Sequence, residues 1–338
     1  LKLKNLKLTA LLFIVLLLAA CGSAQEEESG DDDGESSNGD VRLTIGTGGT
    51  SGTYYPLGVA MAQQVFEGVE GVSGTNAVST GASVANAQEM GAGDYQLALV
   101  QNDIAYYAVN GETLADFEGE PIENIAGMTS LYPEDIQLVT PADSDIETIE
   151  DLEGKNVAVG DQGSGAEANA NQVLEAAGLT YDDITAEFLG FGDASQGMQN
   201  DTIDAAFIVA GSPTAAIQEL GANRDIRVVS LSDDLIDTLT SEYSYYTERT
   251  ISGEEYADYG QEEDIQTVAV MAILVIDSEV PEETAYNMTK ALFENQSELE
   301  DAHARGADMT LETATEGMSI DLHPGVARYF EEEGISVD

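Results

Sequence analysis

From residue 41 onward, short apolar runs rich in β-branched residues alternate with stretches whose apolar positions recur at helical spacing. Residues 41–47 read as a strand followed by a helix over 54–66, 95–101 as a strand followed by a helix over 103–109, and 156–160 as a strand followed by a helix over 166–177. Strand then helix, repeated three times, predicts α/β units with largely parallel sheets. Further strands are expected at 137–140, 205–210, 227–231 and 268–276, and further helices at 213–220 and 282–300. No repeat or long low-complexity segment follows Asp40.

Ahead of that region the pattern changes. Lys2, Lys4 and Lys7 precede an apolar run over residues 8–20, too short for an ordinary membrane span and flanked like a secretory signal. The run ends Leu18-Ala19-Ala20-Cys21-Gly22, which resembles a bacterial lipobox and makes Cys21 the expected lipid anchor. Residues 21–40 carry Glu26-Glu27-Glu28 and Asp31-Asp32-Asp33 among Gly, Ser and Asn, and read as an acidic tether. The Asp run lacks the spaced acids of a calcium loop.

Composition narrows the function. The 338 residues hold 64 Asp and Glu against 11 Lys and Arg, a formal net charge of −53, while 43% are apolar, enough for a large core in about two domains. Such a surface repels phosphate backbones, which excludes nucleic acid as a partner. One Cys and two His leave no disulfide, zinc ribbon or iron–sulfur cluster, and no metal site is expected. Acidity spread along the chain fits a protein facing high salt, where screening weakens the repulsion between carboxylates.

Four turns each follow an apolar strand and open a helix: residues 46–53 (Gly-Thr-Gly-Gly-Thr-Ser-Gly-Thr), 101–103 (Gln-Asn-Asp), 160–165 (Gly-Asp-Gln-Gly-Ser-Gly) and 210–213 (Ala-Gly-Ser-Pro). In open α/β sheets ligands bind beyond the carboxyl ends of strands, where helix N-termini offer unpaired N–H groups. Any one such turn is equally well read as an ordinary N-capped connection; four in one chain favour a binding site. The first loop lacks the third glycine of a dinucleotide fingerprint, and no phosphate-binding Gly-x-x-x-x-Gly-Lys exists, so no cofactor is expected. No Gly-x-Ser-x-Gly elbow occurs. His303, in a polar helical stretch, reads as solvent-facing, and His323, beside Pro324, as a structural turn residue, so the chain is not expected to be an enzyme.

Residues 44–58, Thr-Ile-Gly-Thr-Gly-Gly-Thr-Ser-Gly-Thr-Tyr-Tyr-Pro-Leu-Gly, resemble the opening signature of TAXI proteins, the solute receptors of TRAP transporters. In order, Thr80-Gly81-Ala82-Ser83-Val84-Ala85-Asn86 is similar to that family's Thr-Gly-Gly-Ser-Val-x-Asn, residues 97–103 to Leu-Ala-x-Val-Gln-x-Asp, and Leu131-Tyr132-Pro133-Glu134 to Leu-Tyr-Pro-Glu. Residues 151–165, Asp204-Ala205-Ala206-Phe207, Gly211-x-Pro213-Thr214 and Leu322-His323-Pro324-Gly325 fit as well, so the resemblance spans about residues 41–330.

The resemblance implies a two-lobe α/β clamshell like type II periplasmic binding proteins, with a hinge of two crossover strands. Lobe 1 would be residues 41–136 plus about 268–338, and lobe 2 about 137–267. Gly48, Gly49, Thr50, Ser51, Thr53, Tyr54, Gln101 and Asp103 would then face Gly163, Ser164, Gly165, Glu167, Gly211, Ser212 and Pro213 across the cleft. Tyr54, Tyr55 and Tyr106 are candidates to place aromatic faces around a solute. The implied function is capture of glutamate, glutamine or a dicarboxylate-like solute by a monomeric lipoprotein on the outer face of the cytoplasmic membrane, or in the periplasm, for delivery to a TRAP permease. The alternative is a receptor that presents its solute to a membrane sensor kinase. The chain departs from the family at Asp161 and Gln162, where Ala-Pro is common, and at Asn171, a position often held by Arg. Beyond residue 20 only eight basic residues remain and none lies in the four turns, so a zwitterion or neutral amide fits as well as a dicarboxylate.

Overall fold

The computed structural model describes residues 40–337. The expected signal peptide, the acidic tether and the Cys21 anchor lie outside the described residues. The strands are β1 (Val41–Gly46), β2 (Val72–Val78), β3 (Leu97–Gln101), β4 (Ile125–Pro141), β5 (Asn156–Ala158), β6 (Thr185–Glu187), β7 (Ala205–Ala210), β8 (Ile226–Val229), β9 (Thr247–Ile251) and β10 (Ile265–Asp277). The helices are α1 (Tyr54–Ala60), α2 (Ser83–Gly91), α3 (Asn102–Asn110), α4 (Gly165–Ala176), α5 (Phe191–Gln199), α6 (Ala215–Gly221), α7 (Asp233–Glu242), α8 (Glu282–Glu294), α9 (Gln296–Ala302) and α10 (Pro324–Glu332).

The strands form a sheet in the order β2-β1-β3-β10-β4-β7-β5-β6, with β8 added to β4 and β9 to β10. At its two ends, pairing is parallel, β1 with β2 and β3, and β5 with β6 and β7. In the middle it is antiparallel, β3 with β10, β10 with β4, and β4 with β7. The expectation of largely parallel sheets therefore holds only for the outer strands. The reason is that β4 and β10 each run through both halves: β4 pairs with β10 along 125–135 and with β8 along 138–141, while β10 pairs with β3 near its C-terminal end and with β9 at its start. These are the two crossover strands.

Both faces of the sheet are covered, and the side-chain period of two sorts residues between them. In β3, Leu97 and Leu99 join a core with Leu57, Met61 and Phe330, whereas Ala98 and Val100 join another with Val84, Met90 and Ile104. In β7, Phe207 and Val209 pack with Val173 and Leu235, whereas Ala206 and Ile208 pack with Met198, Ile217 and Tyr256. The expected helix over 54–66 is α1 followed by a π-helical turn at Met61–Val65, and the expected helix over 282–300 breaks at Asn295 into α8 and α9. His323 is the buried N-cap of α10: its Nδ1 accepts from the Gly325 amide at 3.1 Å and its Nε2 lies 2.9 Å from the Val280 carbonyl. His303 is not simply solvent-facing. Half-buried where α9 ends, it accepts from the Arg305 amide at 3.1 Å, and burial lowers its pKa.

Candidate functional site

A cavity of about 340 Å³ opens where the C-terminal ends of β1, β3 and β7 meet the loops after β2, β5 and β6. One wall is the β1–α1 loop with Gly48, Gly49, Thr50, Ser51 and Thr53, closed by the ring of Tyr54. Buried amides shape this loop. Asn86, fully buried on α2, donates through Nδ2 to the Thr47 carbonyl at 2.6 Å and the Leu99 carbonyl at 2.8 Å, tying the ends of β1 and β3 together. Thr80 donates to Asn86 Oδ1 at 2.7 Å, which fixes the β2–α2 loop whose residues 79–83 form the adjoining wall. Ala82, the N-cap of α2, is held at φ 70°, ψ −145°, a conformation that strains a residue with a Cβ.

The floor is Gln101 and Glu134, 2% and 3% exposed. Gln101 ends β3; its backbone N–H donates to Ser83 Oγ at 3.1 Å and its Nε2 to Glu134 Oε2 at 2.8 Å. Among the described residues, Gln101 Oε1 and the Tyr54 hydroxyl are buried without a hydrogen-bond partner. Burial pushes the Glu134 carboxyl up from 4.5 to about 8, only partly opposed by the hydrogen bond from Gln101. The opposite wall brings Ser164 and Gly165 at the start of α4. Ser164 caps α4 by accepting from the Glu167 amide at 3.1 Å. Gly165 is required by close approach, because a Cβ there would collide with the Gln101 carboxamide.

Not every expected residue lines the cavity. Gly163 lies behind the rim, its carbonyl accepting from the Ala85 amide at 3.2 Å, and the Glu167 side chain accepts from the Tyr181 hydroxyl at 2.8 Å. Asp103, at the start of α3, is buried against Asn169, whose Nδ2 donates to it at 3.0 Å; burial lifts its pKa to about 6. Gly211, Ser212 and Pro213 lie past the cavity's edge at Ala210. Ser212 Oγ donates to Asp135 at 3.0 Å, and the Ser212 carbonyl accepts from Arg305 Nε at 2.5 Å, which buries that turn within the protein. Its expected place is taken by Gly190 at the end of the β6–α5 loop and by Phe191, Gly192 and Asp193 in the first turn of α5. Tyr106 packs against Tyr245, with ring centroids 5.3 Å apart, and neither it nor Tyr55 reaches the cavity.

Sequence reasoning also missed Glu134 as a site residue, along with Asp161 on the β5–α4 loop. Among the described residues no Lys, Arg or His lines the cavity, although three carboxyl side chains, Glu134, Asp161 and Asp193, do. The first residues of α2, α4 and α5 also line it. No group of three or more His, Cys, Asp or Glu able to hold a metal occurs among the described residues.

Several hydrogen bonds tie the sheet's two ends together around this cavity. The Ala216 amide donates to the Ser51 carbonyl at 3.2 Å, Thr53 Oγ1 to the Gly211 carbonyl at 3.1 Å, and Ala85 N to the Gly163 carbonyl.

A site at strand ends between two sheet halves joined by crossover strands belongs to the periplasmic-binding-protein class of α/β folds. The profile of the NMT1-like family matches residues 45–334, and the chain belongs to that family. Among solved structures it is similar to a protein from Bordetella bronchiseptica RB50, at 14% identity over 86% of this chain and 82% of that one, with a TM-score of 0.51. It is also similar to a putative L-cystine ABC transporter from Listeria monocytogenes, at 14% identity over 80% and 98% of the two chains with a TM-score of 0.49. A third is the periplasmic aliphatic sulphonate binding protein of Escherichia coli, at 17% identity over 86% and 82%, with a TM-score of 0.44. At these identities the likeness concerns the fold alone.

Proposed function

We propose that the protein is an extracytoplasmic solute receptor: a small polar solute enters between two lobes, residues 41–136 with 268–338 and residues 137–267, and the closed form hands it to a membrane permease. The observation that carries this reading is the cavity itself. It is sized for a small metabolite, at the lower end of the ~300–1,000 Å³ usual for ligand sites, and its floor is made of two buried polar side chains, Gln101 and Glu134. The hydrogen bonds between Ser51 and Ala216 and between Thr53 and Gly211 are those a closed clamshell makes and an open one gives up, which is how differential contacts couple solute binding to closure. The ordered motifs shared with TAXI proteins favour a TRAP-type permease as the partner, and the Cys21 lipobox favours a lipid anchor on the outer face of the cytoplasmic membrane.

The test is thermal melting of the full chain in high salt against amino acids, dicarboxylates and neutral amides. A ligand at 100 times its dissociation constant adds about 2.7 kcal/mol of stability. Gln101→Ala and Ser164→Ala should each weaken the response; unchanged affinity in both variants would remove the cavity from consideration as the site.

A further inference from the structure

Resting on the receptor reading above, the contact between the two proposed lobes outside the cavity contains a titrating group. Asp103, in the first turn of α3, belongs to the first lobe; Asn169 on α4 and Tyr246 ahead of β9 belong to the second. Asn169 Nδ2 donates to Asp103 Oδ2 and to the Tyr246 hydroxyl, each at 3.0 Å, and that hydroxyl donates to Gln172 Oε1 at 2.5 Å. Asp103 is 1% exposed and Asn169 wholly buried, and neither lines the cavity.

This junction suits a neutral Asp103 better than a carboxylate. Its Oδ2 has one uncharged donor, and its Oδ1, like Asn169 Oδ1, is buried without a partner among the described residues. An ionised carboxyl held this way leaves most of its acceptor capacity unmet. The titratable groups that feel its charge are Tyr107 on α3, Tyr245 and Tyr246 before β9, and Glu134 on β4, none of them a cation. Burial raises all four, so of these five groups Asp103 alone titrates below pH 7. From α4 it meets only the uncharged amides of Asn169 and, through Tyr246, Gln172. Opening the cleft parts α3 from α4 and Tyr246 and returns Asp103 to water, where a carboxyl has its ordinary 3.8; closing buries it and lifts it to about 6.

We propose that Asp103 couples lobe closure to proton uptake: the closed form holds on this carboxyl one proton that the open form releases to solvent, so closure, and with it solute affinity, strengthens as pH falls. Below pH 3.8 both forms hold the proton and the carboxyl does not oppose closure. Between 3.8 and about 6 closure weakens roughly tenfold per pH unit, and above that it levels off about a hundredfold below its acid limit. At neutral pH Asp103 therefore biases the empty receptor toward the open form and leaves closure to the solute.

The test compares Asp103→Asn with the wild type, as full chains in 2 M NaCl at pH 5 and pH 7.5, by two readouts. Where the empty protein is mostly closed, hydrogen exchange at the Ala85 and Ala216 amides, which donate across the cleft to the Gly163 and Ser51 carbonyls, reports how often it opens. Where it is mostly open, the closure equilibrium shows in the affinity, measured by calorimetry with L-glutamate, L-glutamine and succinate. The expected result is stronger closure in the variant, by about a hundredfold at pH 7.5 in protection or in affinity, with the advantage about tenfold smaller at pH 5. Taking the ratio at each pH cancels the intrinsic pH dependence of exchange and the titration of solute and surface acids. A merely structural role would change the ratio equally at both pH values. Asp103→Ala also removes the titrating carboxyl and must show the same decrease toward pH 5, which serves if Asp103→Asn folds poorly. A ratio near one in both readouts, or one that does not change between the two pH values, would overturn the inference while leaving the receptor reading intact. Exchange needs no solute, so a chain that binds none of the three compounds is still judged by it, and failure of the receptor reading shows separately in the solute panel.

Discussion

Glu134→Gln should flatten a pH dependence of stability that the buried carboxyl imposes. Glu134 is 3% exposed, and burial carries it from 4.5 to about 8 against the partial relief of the Gln101 amide; Asp103 and Asp135 add to the rise. Tyr54 and Tyr132 are the other titratable groups around it, and burial raises both well above their usual value, so they stay neutral over the range tested. Between pH 4.5 and 8 the folded protein keeps this proton while the unfolded chain releases it, so the group's contribution falls as pH climbs and levels off above 8. At about 1.36 kcal/mol per pH unit the whole effect is on the order of 5 kcal/mol, of which about 4 kcal/mol lies between pH 5 and 9. With ~2.1 cal/mol/K of unfolding entropy per residue, a chain of 338 residues moves about 1.5 °C per kcal/mol. The melting temperature of Glu134→Gln minus that of the wild type should therefore rise by ~6 °C from pH 5 to pH 9 at constant high salt. The difference cancels the titration of the many surface acids, which both proteins share. A difference curve flat to within a degree would show that Glu134 is solvated, and the account of the cavity floor would fail with it.

Three further substitutions probe the same walls. Gly165→Ala places a methyl group against the Gln101 carboxamide and should reduce solute affinity at least tenfold in calorimetry, because the amide must leave Glu134 to make room. Ala82→Gly relieves the positive φ at the α2 N-cap and should raise stability by about 1 kcal/mol in denaturant melts, the strain relief exceeding the added freedom of the unfolded glycine; a loss instead would show that the strain is smaller than that freedom. Arg305→Met leaves Glu255 and the Ser212 carbonyl without their donor on a side chain 19% exposed, and should cost about 2–3 kcal/mol in the same assay.

How much of this was legible in the sequence depends on whether the cause is local. The loop from Gly48 to Thr53 and the strand end at Gln101 announce themselves, because a glycine-rich or amide-bearing turn between an apolar strand and a helix has a local reason to be there. The β6–α5 loop does not: β6 is three residues long and not buried, and Gly190 and Gly192 dilute the helical signal of α5. The first half of β4 was hidden in the same way, since Gly127 and Pro133 argue against a central strand, and the pairing with β10 carries register shifts at Ala272/Ile273 and Leu274/Val275.

The misplaced turn and the overlooked acid share a deeper cause. Gly211, Ser212 and Pro213 have the composition of a ligand loop, but Arg305, 93 residues away, donates to the Ser212 carbonyl and holds the turn inside the protein. Glu134 is one of 64 acids and carries no local mark; it becomes distinctive only because β4 passes between β10 and β7, which buries it under Gln101. Net charge along the sequence already made a carboxylate-binding arginine scarce. Only the tertiary structure shows that Arg249 and Arg305 are committed to Asp135, Glu255 and Asp308, and it is this pairing that keeps both arginines out of the cavity wall.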